Sequence, residues 1–305
     1  MLPRVAVISL LLGCSSAPAA QTDAGVDAAN DVSTPVDAGD DASLPGWKLV
    51  WSDEFDGADG SAPDSTIWSH EVGGDGWGND ELEYYTDGAE NSVVQNGNLV
   101  ITATTAGASK YSCANDGAGG ACKYTSARIT TEPKANVTGF AGSYGRFAAR
   151  MKVPAGKGLW PAFWLLGTNI TQVGWPTCGE VDIMEILGSD TTTMYGSLHS
   201  DKGAGEWSTG SPFVSSAGSF SDDFHVFAIE WKQGQVDFFV DQTKYETITS
   251  AEVDGGGTWE FDGHPFYILL NLAVGSKDSW PGAPDQTTIF PAQLLVDWVR
   301  VYAPD

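Results

Sequence analysis

Glu180, Asp182 and Glu185 fall within six residues of one another in Gly179-Glu180-Val181-Asp182-Ile183-Met184-Glu185, with apolar side chains between them. On a strand, side chains alternate between the two faces, so Glu180 and Asp182 share one. Glu185 lies five residues beyond Glu180, and strict alternation sends it to the opposite face. One extra residue at Ile183-Met184, taken up as a β-bulge, returns it to the face of the other two. Three acids aimed into one cleft repel each other and split their pKa values, which suits acid–base work. Two carboxylates across a sugar are the usual machinery of glycoside hydrolysis. An acidic strand with alternating apolar residues is, taken alone, more often a half-solvated edge, so its surroundings decide the reading.

Those surroundings are rich in tryptophan. Gly158-Leu-Trp-Pro-Ala-Phe-Trp-Leu-Leu-Gly167 and Gly174-Trp-Pro176 lie just upstream, and Gly196-Ser-Leu-His199 just downstream. Pyranose rings stack on indole faces while their hydroxyls bond to acids and amides. Indoles grouped around a carboxylate strand therefore suggest a sugar cleft.

The elements that must position these groups read as strands. Short alternating or apolar runs recur at Asn98–Thr104, Thr125–Thr131, Tyr144–Val153, Met194–His199, Phe224–Trp231, Gln235–Val240, Phe266–Ala273 and Leu294–Tyr302. The 37 glycines fall mostly between such runs. No segment carries a long helical period with caps, and no internal repeat is visible. The pattern predicts an all-β sandwich of two antiparallel sheets.

Four segments, in order, resemble the laminarinase-like branch of glycoside hydrolase family 16. They are Tyr124-Thr-Ser-Ala-Arg-Ile129, Trp160 to Gly188, Asn271-Leu-Ala-Val-Gly275 and Val296-Asp-Trp-Val-Arg-Val-Tyr302. The resemblance covers residues 46–305. It implies a β-jelly roll whose concave sheet forms the cleft, and a retaining endo-β-1,3-glucanase that needs no cofactor for catalysis. It implies Glu180 as nucleophile and Glu185 as general acid, then base. Asp182 would bond the nucleophile and help keep Glu185 protonated. By matching position, Trp160, Trp164, Trp175, His199, Arg128, Asn79, Glu83, Asn271 and Trp280 become candidates for contacting the sugar, with Tyr84 beside them. Many relatives have glutamine where Glu83 stands, and a glycine pair where this chain reads Gly275-Ser276. A structural Ca²⁺ is implied at Glu54, the Gly97 backbone and Asp297, oxygens of the kind a hard cation takes. The expected substrate is a laminarin-like β-glucan. Mixed-linkage glucan, an algal galactan, or glucan binding without turnover are the alternatives.

Formal net charge is −25. Six Asp and no Lys, Arg or Glu occupy residues 15–45, and setting these and Arg4 aside leaves about −20 on residues 46–305. That balance argues against nucleic acid and against peripheral binding to anionic lipid. Arg4 precedes an apolar run from Val5 to Leu12, too short to span a bilayer, that ends Leu11-Leu12-Gly13-Cys14. Residues 1–13 read as a lipoprotein-type signal, with Cys14 as the lipidated residue. The alternative is an ordinary signal peptide cut after Ala20. Residues 14–45 read as an acidic disordered tether, and residues 46–305 as the catalytic domain. An exported bacterial protein is expected, monomeric, and either held to the envelope by lipid at Cys14 or secreted. Cys113 and Cys122 flank a Gly/Ala-rich loop and are placed to close a small disulfide ring in an oxidising compartment. Cys178 reads as a small buried apolar residue.

Overall fold

The computed structural model describes residues 44–114, 119–203, 205–253 and 257–305. The expected signal over 1–13, Cys14, and all but the last two residues of the tether lie outside the described residues.

Alternating and apolar runs pair into two large antiparallel sheets, packed face to face. One has the order Thr243–Thr249, Gln235–Val240, His225–Lys232, Gly145–Lys152, Ala292–Pro304, Asn98–Ala103 and Ser92–Gln95, with Trp47–Asp53 also on Ala292–Pro304. The other, the site sheet, runs Glu206–Val214, Thr193–Asp201, Glu180–Ile186, Leu159–Gly167, Phe266–Val274, Arg128–Thr130 and Ser69–Glu71. Neighbours distant in sequence lie side by side, which is the connectivity of a β-jelly roll.

The core lies between the sheets. Leu159, Phe163 and Leu165 enter it from one site-sheet strand, Val181, Ile183, Met184 and Ile186 from the next, and Met194 and Leu198 from the third. Phe147, Phe227, Ile229 and Val299 meet them from the other sheet. The strand Phe266–Val274 is buried at all nine positions. It is covered on both faces, so its sequence is a continuous apolar run broken only by Asn271.

Two segments differ from the sequence expectation. Thr125–Thr131 is not one strand: Tyr124–Ser126 pairs in parallel with Glu83–Tyr85, and Arg128–Thr130 joins the site sheet. A change of partner at Ala127 leaves no trace in hydrophobic alternation. The edge strand Glu206–Val214 carries Gly210 and Pro212 and lacks a strand signature. An edge tolerates both residues, because one side of its backbone needs no partner. Cys113 and Cys122 are joined in a disulfide with Cα atoms 5.0 Å apart. Cys178 is free and buried.

Candidate active site

Gly179, at φ 73°, turns the chain into the strand Glu180–Ile186. On one side Phe163 pairs with Met184 and Trp164 with Asp182, so Ile183 has no opposite number. On the other side Asp182 pairs with Ser197 and Glu185 with Tyr195, which leaves two residues, Ile183 and Met184, against one, Gly196. This is a bulge at Ile183-Met184. Both bulged side chains are fully buried in the core. Glu180, Asp182 and Glu185 consequently all line one cleft of about 810 Å³.

Alternation on neighbouring strands supplies the walls. Trp160, Ala162, Trp164 and Leu166 face the cleft from Leu159–Gly167, and Tyr195, Ser197 and His199 face it from Thr193–Asp201. Gly196 lies between them, where an added Cβ would come within 2.3 Å of Tyr245 and 2.8 Å of Phe238.

Each of the two glutamates meets a tryptophan N–H. Trp175 Nε1 donates to Glu180 Oε2 at 2.9 Å, and Trp160 Nε1 to Glu185 Oε1 at 2.9 Å. Asp182 Oδ2 accepts from Ser197 Oγ at 2.8 Å and meets His199 Nε2 at 2.8 Å. The bond expected from Asp182 to Glu180 is not formed among the described residues; Asp182 is turned to Ser197 and His199. The far nitrogen of the same imidazole, Nδ1, pairs with Glu206 on the edge strand.

Desolvation dominates the electrostatics. Burial raises Glu180 to about 8, with the Asp182 charge adding to it, while His199, the Trp175 N–H and Arg128 oppose it. Glu185 is held well above the carboxylate range by burial and then Asp182; His199 and the Trp160 N–H oppose, and Glu180 adds. Fewer groups favour the charged form of Glu185, so of the two it keeps its proton. Burial disfavours the His199 imidazolium, but Asp182, then Glu180 and Glu206, outweigh it and carry His199 to about 10. A charged imidazolium thus lies among three acids.

The other candidates divide. Trp175 and Trp280 stand in the cleft, 49% and 48% exposed. Trp280 packs edge-on against Trp160 and Tyr195. Asn79 and Asn271 line the cleft. Arg128 lines it too, but its guanidinium is paired with Glu71 and clamped between the Trp77 and Trp164 rings, 4.9 and 4.6 Å from their centroids. Glu83 is a correction: it is fully buried behind the cleft wall, where it accepts the Val274 N–H at 2.6 Å. Glu81 reaches the cleft instead. Tyr84 stacks on Tyr111, centroids 4.3 Å apart, and does not line the cleft.

Sequence reading missed Trp77, Glu81, Tyr195, Ser197 and Glu206. Tyr195 and Ser197 were within reach, since they precede His199 at steps of two. Nothing in the sequence ties Glu206 to His199, because that contact depends on how the edge strand pairs.

The residues implied for Ca²⁺ do not fit the ion as placed. Glu54 accepts both Arg300 Nε and Nη2, at 3.0 and 2.8 Å. Asp297 accepts Arg150 Nη1 at 2.7 Å. The charge a cation would need is already met by two guanidinium groups.

A family model, glycosyl hydrolases family 16, matches residues 79–300. The chain is 38% identical to a beta-glucanase of Rhodothermus marinus, over 99% of this chain and 95% of that one. Among solved structures it resembles the laminarinase catalytic domain from Thermotoga maritima, with 44% identity, coverage of 85% of this chain and 99% of that one, and a TM-score of 0.72. It also resembles the laminarinase from Rhodothermus marinus, with 38% identity, coverage of 86% and 100%, and a TM-score of 0.70.

Proposed function

Because this chain belongs to glycosyl hydrolase family 16, we propose that it is a retaining endo-glycosidase that cleaves internal β-1,3 bonds of laminarin-like glucans. The observation that carries the reading is the bulge, which brings Glu180, Asp182 and Glu185 to one tryptophan-walled cleft.

The two displacements need Glu180 charged while Glu185 keeps its proton, the order their neighbours favour. An ionised Glu180 oxygen attacks the anomeric carbon as the bond to the leaving glycosidic oxygen breaks. Glu185 gives that oxygen its proton, so the leaving chain departs as an alcohol. Glu185, now a carboxylate, takes a proton from a water, and the resulting hydroxide displaces Glu180 from the anomeric carbon. Two displacements retain configuration. The Trp175 N–H and the His199 charge favour the anionic nucleophile. Burial favours the neutral acid. Asp182 fixes His199, and Glu206 holds the ring from its far side.

The test is reducing-sugar release from laminarin, barley mixed-linkage glucan, agarose and carrageenan, beside Glu180→Gln. Release from laminarin that disappears in the variant, with the first product in the β configuration, is the expected result. Release from a galactan alone would overturn the substrate. An inverted first product would overturn the double displacement. Binding of laminarin without release would favour a recognition protein.

Three further parts of the reading rest on the sequence. Export with a lipid at Cys14 is supported by the Leu11-Leu12-Gly13-Cys14 pattern, and Cys14→Ser should move the protein from the detergent phase to the aqueous phase. The enzyme acts as a monomer, which light scattering would check. A structural Ca²⁺ at Glu54, Gly97 and Asp297 would compete with Arg300 and Arg150; a melting temperature raised by Ca²⁺ would support it, and indifference to chelator would remove it.

A further inference from the structure

The acid that sequence matching assigns to the sugar, Glu83, is the most buried carboxyl near the cleft, at 0% exposed. Its Oε2 accepts the Val274 N–H at 2.6 Å. Its Oε1 is buried and meets no N–H or O–H donor among the described residues. The side chain of Glu83 lies against the carboxyl of Glu81. Both oxygens of Glu81 already accept: Oε1 from Asn79 Nδ2 at 3.0 Å, and Oε2 from the Tyr85 hydroxyl at 3.0 Å. Two buried carboxylates cannot face each other without a proton between them. Glu81 has the donors and Glu83 Oε1 has none, so a proton shared by the pair is best placed on Glu83.

The contacts continue to the cleft surface. Tyr85, whose hydroxyl donates to Glu81, accepts Asn271 Nδ2 at 3.2 Å. Asn271 Oδ1 accepts Trp164 Nε1 at 2.8 Å. Asn79, Asn271 and Trp164 all line the cleft. Two branches of hydrogen bonds, one from Asn79 and one from Trp164 through Asn271 and Tyr85, therefore converge on Glu81 and tie it to three cleft-lining side chains.

We propose that Glu81 and Glu83 are one positioning unit, a carboxyl pair holding a single proton, which sets Asn79 and, through Tyr85, the Asn271–Trp164 wall of the substrate cleft. The part concerning substrate rests on the proposed glucanase function.

The charged and titratable groups facing the pair are few. Tyr85 lies on the same strand as Glu83, and Arg128, from Arg128–Thr130, acts on Tyr85. Tyr124 is the register partner of Glu83. Burial, then the Glu81 charge, hold Glu83 well above its ordinary value, and only backbone N–H groups oppose this. Burial and the two acids also hold Tyr85 neutral, as its donor role requires. A proton retained in the folded state and released in the unfolded one makes stability fall as pH rises above the ordinary carboxyl value of 4.5.

Glu83→Gln is the discriminating variant. Its amide N–H takes the place of the proton towards Glu81, and its carbonyl still accepts from Val274, at every pH. The melting temperature of Glu83→Gln minus that of the wild type should therefore grow as pH is raised from about 4 to about 8, by about 3 °C for each unit by which Glu83 is raised. Curves that stay parallel would overturn the shared proton. On laminarin, Glu83→Leu should show a KM about 5-fold above that of Glu83→Gln, with a smaller change in kcat, the loss expected for about one hydrogen bond. Should Glu83→Leu not fold, Tyr85→Phe removes only the hydroxyl joining Glu81 to Asn271, and the same rise over wild type is expected. An unchanged KM in these variants would overturn the positioning role. If the wild type leaves laminarin intact, the glucanase reading fails, and the melting comparison still decides the pair.

Discussion

Trp160 donates its indole N–H to Glu185 Oε1 at 2.9 Å, from the strand next to the one that carries the acid. This bond favours the carboxylate form of a group whose first task, in the proposed mechanism, is to hold a proton. It therefore tempers the acid and supports it once it has become a base. Trp160→Phe keeps the ring and removes the donor. The alkaline limb of kcat/KM on laminarin should move to higher pH, because one of the groups lowering Glu185 is gone. The rate at the optimum should fall about 5-fold. An alkaline limb that stays in place would show that the bond does not act on the acid.

Glu206 holds the His199 ring from the side away from Asp182. Replacing it by glutamine removes one of the groups that raise His199, so the imidazole should titrate below its value of about 10. The sign for stability follows. A raised histidine contributes stability that is full below its unfolded value of about 6.5 and is lost as pH rises through the folded value. Glu206→Gln should narrow that window from its alkaline side. Imidazole titration by NMR, with melting temperatures across the same range, would check both; a midpoint equal to wild type would refute the role.

The bulge makes a prediction that runs against ordinary expectation for a deletion in a core strand. Ile183 and Met184 both point inward. Deleting Ile183 leaves Glu180, Asp182 and Glu185 in strict alternation, all still facing the cleft. Deleting Val181 instead reverses Glu180 relative to the other two. Both variants lose one buried apolar side chain, at a cost of about 2–5 kcal/mol. The Ile183 deletion should retain laminarin hydrolysis above the background of Glu185→Gln, and the Val181 deletion should not. Equal inactivity of two folded variants would show that spacing matters beyond facing.

Cys113 and Cys122 close a loop of nine residues' separation. Loop-closure entropy for a ring of this size is worth about 2–3 kcal/mol. Cys113→Ser should lower the melting temperature by about 5–10 °C in a domain of this size. The disulfide lies outside the cleft lining, so laminarin hydrolysis at moderate temperature should be retained. A melting temperature insensitive to reductant would refute the contribution.

Much of the site was legible because its elements repeat with period two. Trp160 and Trp164 fall on one face, and Leu159, Phe163 and Leu165 on the other, from alternation alone. The bulge was legible for the same reason: Ile183 and Met184 are adjacent apolar residues in a strand whose acids would otherwise face opposite ways. Glu83 shows where that logic stops. Its strand is three residues long and pairs in parallel outside the main sheets, so no run of alternation reveals that it points inward. Position within a familiar segment suggested a sugar contact; burial made it a support instead. Glu54 and Asp297 meet the same limit. Two oxygen-bearing residues invite a cation, but the guanidinium groups that occupy them come from Arg300 and Arg150, and side-chain partners are not encoded in residue type.

The sequence by itself determined the all-β class, the faces of the long strands and which acids gather in the cleft. Those depend on local periodicity and on residue chemistry, which a linear string records. Only the tertiary structure decided which strands became neighbours, and with them the Glu206–His199 contact, the Arg128 clamp between two indoles and the burial of Glu83 against Glu81. Each joins segments set side by side by sheet order and by the desolvation of charged groups, neither of which has a local signature in the chain.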